Sequence, residues 1–230
     1  MNDLTKQLIY LGSLSMLSVF LIFLFSRKKN KTTSNSPQIK SEFKKALVQL
    51  ANKEWDKWNK NGVIKEGSKD TIQDLRNYWE KGANVKKDDN YYTKQAWSSA
   101  FISYIMRLSG AGDDFKYSSS HSKYIAEAIK NKKENNSKKF KGYKPDEVNV
   151  EIGDLVCFPR QKGITYNSEA GYKSHCDLIT EINGDVAVGI GGNISNSVTK
   201  TNYYLKNNKI DKSKDKKSYG GIFAVIKNLK

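Results

Sequence analysis

The residues best placed to do chemistry lie in Ala96–Arg107, AWSSAFISYIMR. Ser98 and Ser99 follow Trp97, and Phe101, Tyr104, Ile105 and Leu108 then recur at helical spacing. That pattern puts both serines at or just inside a helix N-terminus, where backbone N–H groups lack partners and the macrodipole is positive. The position suits a capping hydroxyl. It equally suits a nucleophile whose developing anion needs stabilising. Spacing alone does not separate the two. The other reactive side chains are few: His121, His175, Cys157 and Cys176. They show neither CxxC nor HxxxH spacing, so no zinc site and no cofactor are expected.

Four segments, taken in order, carry a resemblance. Trp97-Ser98-Ser99-Ala100-Phe101-Ile102-Ser103 resembles the W-C-[AS]-A-F-[VI]-[NS] helix start of papain-like cell-wall hydrolases of the CHAP and NlpC type. Gly153-Asp154-Leu155-Val156 resembles their G-D-[LI]-V strand entry, and Ser174-His175-Cys176-Asp177-Leu178-Ile179 the strand that opens on the catalytic His. Gly191-Gly192-Asn193 resembles the strand bearing the third polar residue. W-S-A-A-F-I-S, G-D-L-V-C and S-H-C-D together also resemble a bacterial family of unassigned function. The likeness runs from about Ala46 to Lys227.

This resemblance implies an α+β, papain-like domain and a triad of Ser98, His175 and Asn193. The His would take the nucleophile's proton, and the third residue would fix the imidazole tautomer. Ser98 stands where those families keep Cys. A hydroxyl ionises far less readily than a thiol, so it needs concerted base catalysis and a good oxyanion hole. Asp177 is two residues from His175 and shares its strand face, where it would add the charge that Asn193 lacks; Cys176 would face away from the helix start if His175 faces it. Trp97, Asp177, His121 and Arg160 complete the site as binding residues. Two functions follow. One is an amidase or endopeptidase of peptidoglycan peptide. The other is a catalytically inactive papain-like fold that binds a polyanion or a protein partner.

The elements that must position these residues are read as helices first and strands after. Gln38–Asn61 is expected as a helix through Ile39, Phe43, Leu47, Leu50, Ala51, Trp55 and Trp58, and Asp70–Lys81 as a shorter one. Gly82–Ala96 reads as a loop, Ser119–Asn131 as a helix and Lys132–Lys144 as a solvated loop. Strands are expected at Asp154–Phe158, His175–Ile182, Val186–Ile190, Asn202–Leu205 and Gly221–Lys227, and Lys206–Lys217 as a basic loop. Asn183-Gly184 signals a type I′ hairpin. Cys157 and Cys176 fall on strands that pair in the resembled fold, which allows either a disulfide or two buried thiols.

Leu8–Phe25 carries no charge, and its 18 residues would span about 27 Å as a helix. Residues 1–27 are therefore read as an uncleaved single-pass membrane anchor, residues 28–38 as a polar linker and residues 39–230 as the domain. The basic run Arg27, Lys28, Lys29 and Lys31 favours a cytoplasmic domain by the positive-inside rule. The hydrolase resemblance favours the opposite side. The 40 Lys and Arg against 24 Asp and Glu give a net charge of +16, a field that attracts peptidoglycan or another polyanion. No helix-turn-helix, zinc-finger or RNP pattern accompanies it, so a nucleic-acid partner has charge alone behind it.

Overall fold

The computed structural model describes residues 39, 41–58 and 63–230. The expected anchor and linker lie outside these residues. Among the described residues no helix is long and apolar enough to cross a membrane.

Helix α1 (Glu42–Lys57) starts where Ser41 accepts the Lys44 N–H at 3.4 Å, later than the apolar pattern alone implied. It buries Leu47 and Ala51, with Trp58 at its end, and lays Phe43, Leu50 and Trp55 on the rim of the core. Glu54 sits on the same buried face and accepts the Tyr78 hydroxyl; burial raises its carboxyl above the usual range.

Helix α2 (Ile72–Asn77) widens into a π-helical turn, Tyr78–Gly82. Gly82 presses against the next long helix: a Cβ there would lie 2.5 Å from the Ala100 carbonyl oxygen and 2.7 Å from the Tyr104 nitrogen. Only glycine permits that approach. The segment expected as a loop contains a short helix, α3 (Asp89–Lys94), because the Asp88 carboxylate caps it by accepting the Tyr91 N–H at 2.8 Å. Helix α4 (Ser98–Leu108) is the central helix; α5 (His121–Lys133) packs on the strand Phe140–Tyr143 and touches α4 at its own start, through His121 and Ser98. Trp97 and Phe101 are 0% exposed and Ile105 is 1%. The Tyr104 ring lies 5.1 Å from that of Tyr78, so this member of the stripe packs on the π-helical turn.

The strands are β1 (Phe140–Tyr143), β2 (Leu155–Pro159), β3 (Ser174–Asn183), β4 (Val186–Gly191), β5 (Thr199–Lys206), β6 (Lys209–Ile210) and β7 (Ala224–Asn228). They form one curled antiparallel sheet in the order β1-β7-β2-β3-β4-β5-β6, which makes the domain α+β. β1 and β6 correct two segments read as loops. β1 is four residues long and pairs with β7, the last strand, so its partner is remote in sequence. β6 is closed by Asn207-Asn208, both at positive φ, as a type I′ turn requires. The β3–β4 hairpin departs from its expected turn. Its register places Gly184 and Asp185 at the centre, and only Gly184 has positive φ, the pattern of type II′.

The sheet has a core on each face. Leu155, Cys157, Cys176, Leu178, Ile190 and Ile226 pack with the helices. Val156, Phe158, Ile179, Ala187, Tyr203 and Val225 fill the inside of the curl. Cys176 therefore lies on the helix side, not away from it, and strand alternation turns His175 and Asp177 to the other face. Cys157 and Cys176 are direct cross-strand partners and form a disulfide.

The Gly-Asp strand entry has a structural task. Asp154 is 0% exposed and accepts the Glu151 N–H at 2.8 Å, the Asn228 N–H at 2.9 Å and the Lys227 ammonium at 2.7 Å. It clamps the start of β2 to the end of β7. Burial outweighs these favourable contacts and pushes its carboxyl up to about 6.

Candidate functional site

A cavity of about 530 Å³ opens where the start of α4 meets the start of α5 and the beginning of β3. Ser98, His121, Arg160, Lys173, His175 and Asn193 all line it. The fold thus brings together the serine, both histidines and the polar residue named from sequence, along with Arg160.

Ser98 is the first residue of α4 and 7% exposed. Its Oγ lies 2.7 Å from His121 Nε2. His121 opens α5, and one helical turn on, the Tyr124 hydroxyl meets its Nδ1. If Ser98 donates to Nε2, then Nδ1 carries the proton and donates to Tyr124. Burial, with the charges of His175 and Arg160 added, holds the His121 imidazolium well below the usual 6.5, so the ring is neutral at pH 7. Ser99 and Ser103 have other duties: both hydroxyls donate to the Ser118 carbonyl at 2.9 Å and fix the loop before α5.

His175 has a separate support. Its Nε2 is 2.8 Å from Asp177 Oδ1, and Asp177 Oδ2 accepts the Tyr203 hydroxyl at 2.5 Å. Burial alone would raise the Asp177 carboxyl, but His175, Tyr203 and Lys217 outweigh it and leave it below the usual range. The Nδ1 of His175 has no hydrogen bond among the described residues. The rings of His121 and His175 lie 5.2 Å apart between centroids. His175 is the second residue of β3, so a side chain on the far face of the sheet still meets the helix layer at the sheet's end. Gly191 makes room for this pair: a Cβ there would fall 1.9 Å from Asp177 Oδ1 and 2.9 Å from His175 Nε2.

Asn193 lines the cavity with φ at 56°, and its side chain has no hydrogen bond among the described residues. Asp177, not Asn193, therefore holds the His175 imidazole. Trp97 is fully buried. Its indole stacks on Tyr78 at 5.6 Å, meets Trp58 at a tilt at 5.1 Å, and donates to Glu66, so it braces the helix start from behind. Spacing by itself does not reveal the Ser98–His121 contact. The signal that was present is the i, i+3 pair His121 and Tyr124, a ring with a ready hydroxyl partner at a helix start. Among the described residues no cluster of three or more His, Cys, Asp or Glu could hold a metal ion.

Residues 53–220 match the model of a family described as "Uncharacterized protein conserved in bacteria (DUF2272)". No curated protein and no solved structure matches the chain.

Proposed function

The chain belongs to this DUF2272 family, and we propose that the Ser98 cavity is a hydrolase centre on a papain-like fold, with Ser98 as nucleophile acting on an amide of peptidoglycan peptide. The observation that carries this is Ser98 Oγ at 2.7 Å from His121 Nε2 in an open cavity. The substrate class rests on the resemblance to CHAP and NlpC-type enzymes.

In this reading His121 takes the hydroxyl proton as Oγ attacks the carbonyl carbon, and Tyr124 fixes the tautomer. The unpaired N–H groups at the start of α4 face the developing oxyanion. The carbonyl reforms as the C–N bond breaks, and the amine leaves with the proton that His121 took, while Asp177 holds the His175 ring beside the leaving group. Water then attacks the Ser98 ester and gives its proton to His121, which passes it to Ser98 Oγ as the ester C–O bond breaks and the acid is released. Asn193 contacts the substrate.

One observation favours the second reading, a binding module for a polyanion or protein: His121, in direct contact with Ser98, has a hydroxyl behind it rather than a carboxylate. Turnover of purified wall fragments decides. The hydrolase reading expects activity in the full chain and none in Ser98→Ala. Equal activity in both, or none in either with the domain folded, sinks it.

The anchor reading of residues 8–25 goes with a domain on the extracytoplasmic side, since the Cys157–Cys176 disulfide suits an oxidising compartment and weighs against the flanking charges. A chain beginning at Lys40 should then leave the membrane fraction. Retention as firm as that of the full chain refutes the anchor.

A further inference from the structure

Arg160 lines the Ser98 cavity and also a neighbouring one of about 450 Å³, whose wall includes Lys216, Lys217, Ser218 and Tyr219. Its guanidinium lies 5.2 Å from the Phe158 ring centre, and the Lys217 ammonium lies 4.6 Å from the same ring. Neither cation forms an ion pair within the described residues. Among the described residues no Asp or Glu lines either cavity.

The two acids whose charges reach Lys217, Asp177 and Asp215, are already engaged. Asp177 is fully buried against His175 and Tyr203. Asp215 accepts the backbone N–H groups of Lys217 at 2.9 Å and Ile222 at 2.5 Å. The cleft is thus lined by Arg160, Lys173, Lys216 and Lys217 with no counter-charge on its walls. The Arg160 charge is felt as far as His121, where it helps disfavour the imidazolium. An exposed cation normally gains little from one partner, but a fork-shaped guanidinium on an aromatic face is well placed to take a carboxylate bidentately.

We propose that Arg160, supported by Lys217, is the anchor for a carboxylate of the ligand, so that the site takes acidic peptides that run from the Ser98 cavity into the second one. This rests on the reading of the Ser98 cavity as the ligand site and names the chemistry it selects.

The test is fluorescence anisotropy of fluorescein-labelled tetra-glutamate and tetra-glutamine peptides on the full chain carrying Ser98→Ala. The tetra-glutamate should bind at least about tenfold tighter, and adding Arg160→Gln should reduce it to the level of tetra-glutamine. Lys53→Gln removes the same charge from an exposed position on α1, outside both cavities, and should change binding less than about twofold. Should Arg160→Gln unfold, as judged by its melting curve, Lys217→Gln takes its place with the same expected direction.

Equal losses from the cleft and Lys53 variants mean a diffuse field and overturn the proposal, as does equal affinity for the two peptides. Arg160-dependent binding without turnover by the unmodified chain removes the hydrolase reading and leaves the anchor. Turnover without any preference for glutamate removes the anchor and leaves the hydrolase.

Discussion

Ser98 and His121 lie 23 positions apart and start two different helices, yet their side chains meet at 2.7 Å in the cavity that also holds His175. The contact makes Ser98 one end of a hydrogen-bonded line through His121 to Tyr124. A second line, His175 to Asp177 to Tyr203, runs beside it.

If the first line works as a unit, Ser98→Ala and His121→Ala should each remove most turnover, by about 10²–10⁴-fold for the histidine. The double variant should lose scarcely more than either single one. Steady-state rates on wall fragments check this, with melting curves to confirm folding; additive losses would separate the two residues. Ser98→Cys should react with a thiol-directed probe at neutral pH, because a helix start beside imidazoles favours the thiolate. An inert thiol in a folded domain counts against the site.

His121 gives a pH dependence whose sign is fixed. Its folded-state value is depressed below 6.5, chiefly by burial, so the unfolded chain binds the proton more readily. Stability from this group is present above pH 6.5 and is lost as pH falls through the lower folded value. Denaturant midpoints of the wild type and His121→Gln should therefore converge as pH drops from 7 to 5. A constant gap would mean that the imidazole titrates normally.

Asp154 has the opposite sign. Its carboxyl is raised from 3.8 to about 6, so its contribution is full below pH 3.8 and is lost as pH rises through 6. The stability gap between wild type and Asp154→Asn should shrink by on the order of 2–3 kcal/mol across that window. Lys227→Met leaves the carboxylate without its ammonium and should cost about 3–5 kcal/mol at pH 7. Urea titrations at several pH values measure both.

The Cys157–Cys176 bridge closes a segment of 19 positions. In the chain-entropy picture such a loop is worth about 3 kcal/mol. Replacing both cysteines with alanine should lower the urea midpoint accordingly, and a reducing agent should have no further effect on that variant.

Phe101 is 0% exposed, and its ring sits 5.3 Å from Tyr78 and 6.4 Å from Trp97. Phe101→Ala should cost about 3–5 kcal/mol. A loss below about 1 kcal/mol in the same titration would mean that α4 is not the centre of the core.

The sequence by itself determined the local features. Helical spacing after Trp97 located α4 and put Ser98 at its start, because a 3.6-residue period is a property of the chain alone. Strand alternation likewise put His175 and Asp177 on one face, two residues apart, where they bond. Only the tertiary structure decided which surfaces meet. Alternation does not say which face of β3 the helices cover, and Cys176 proved to face them. Nor does periodicity on α5 reveal that His121 reaches Ser98, since that contact depends on how two helix starts are packed. The β1–β7 pairing and the disulfide register are decided in the same way, by long-range ladder pairing. Arg160 carries no periodic signal at all. Its standing between two cavities, without an ion pair among the described residues, arises from the loops that close around the end of the sheet, a balance of packing and charge that no local stretch encodes.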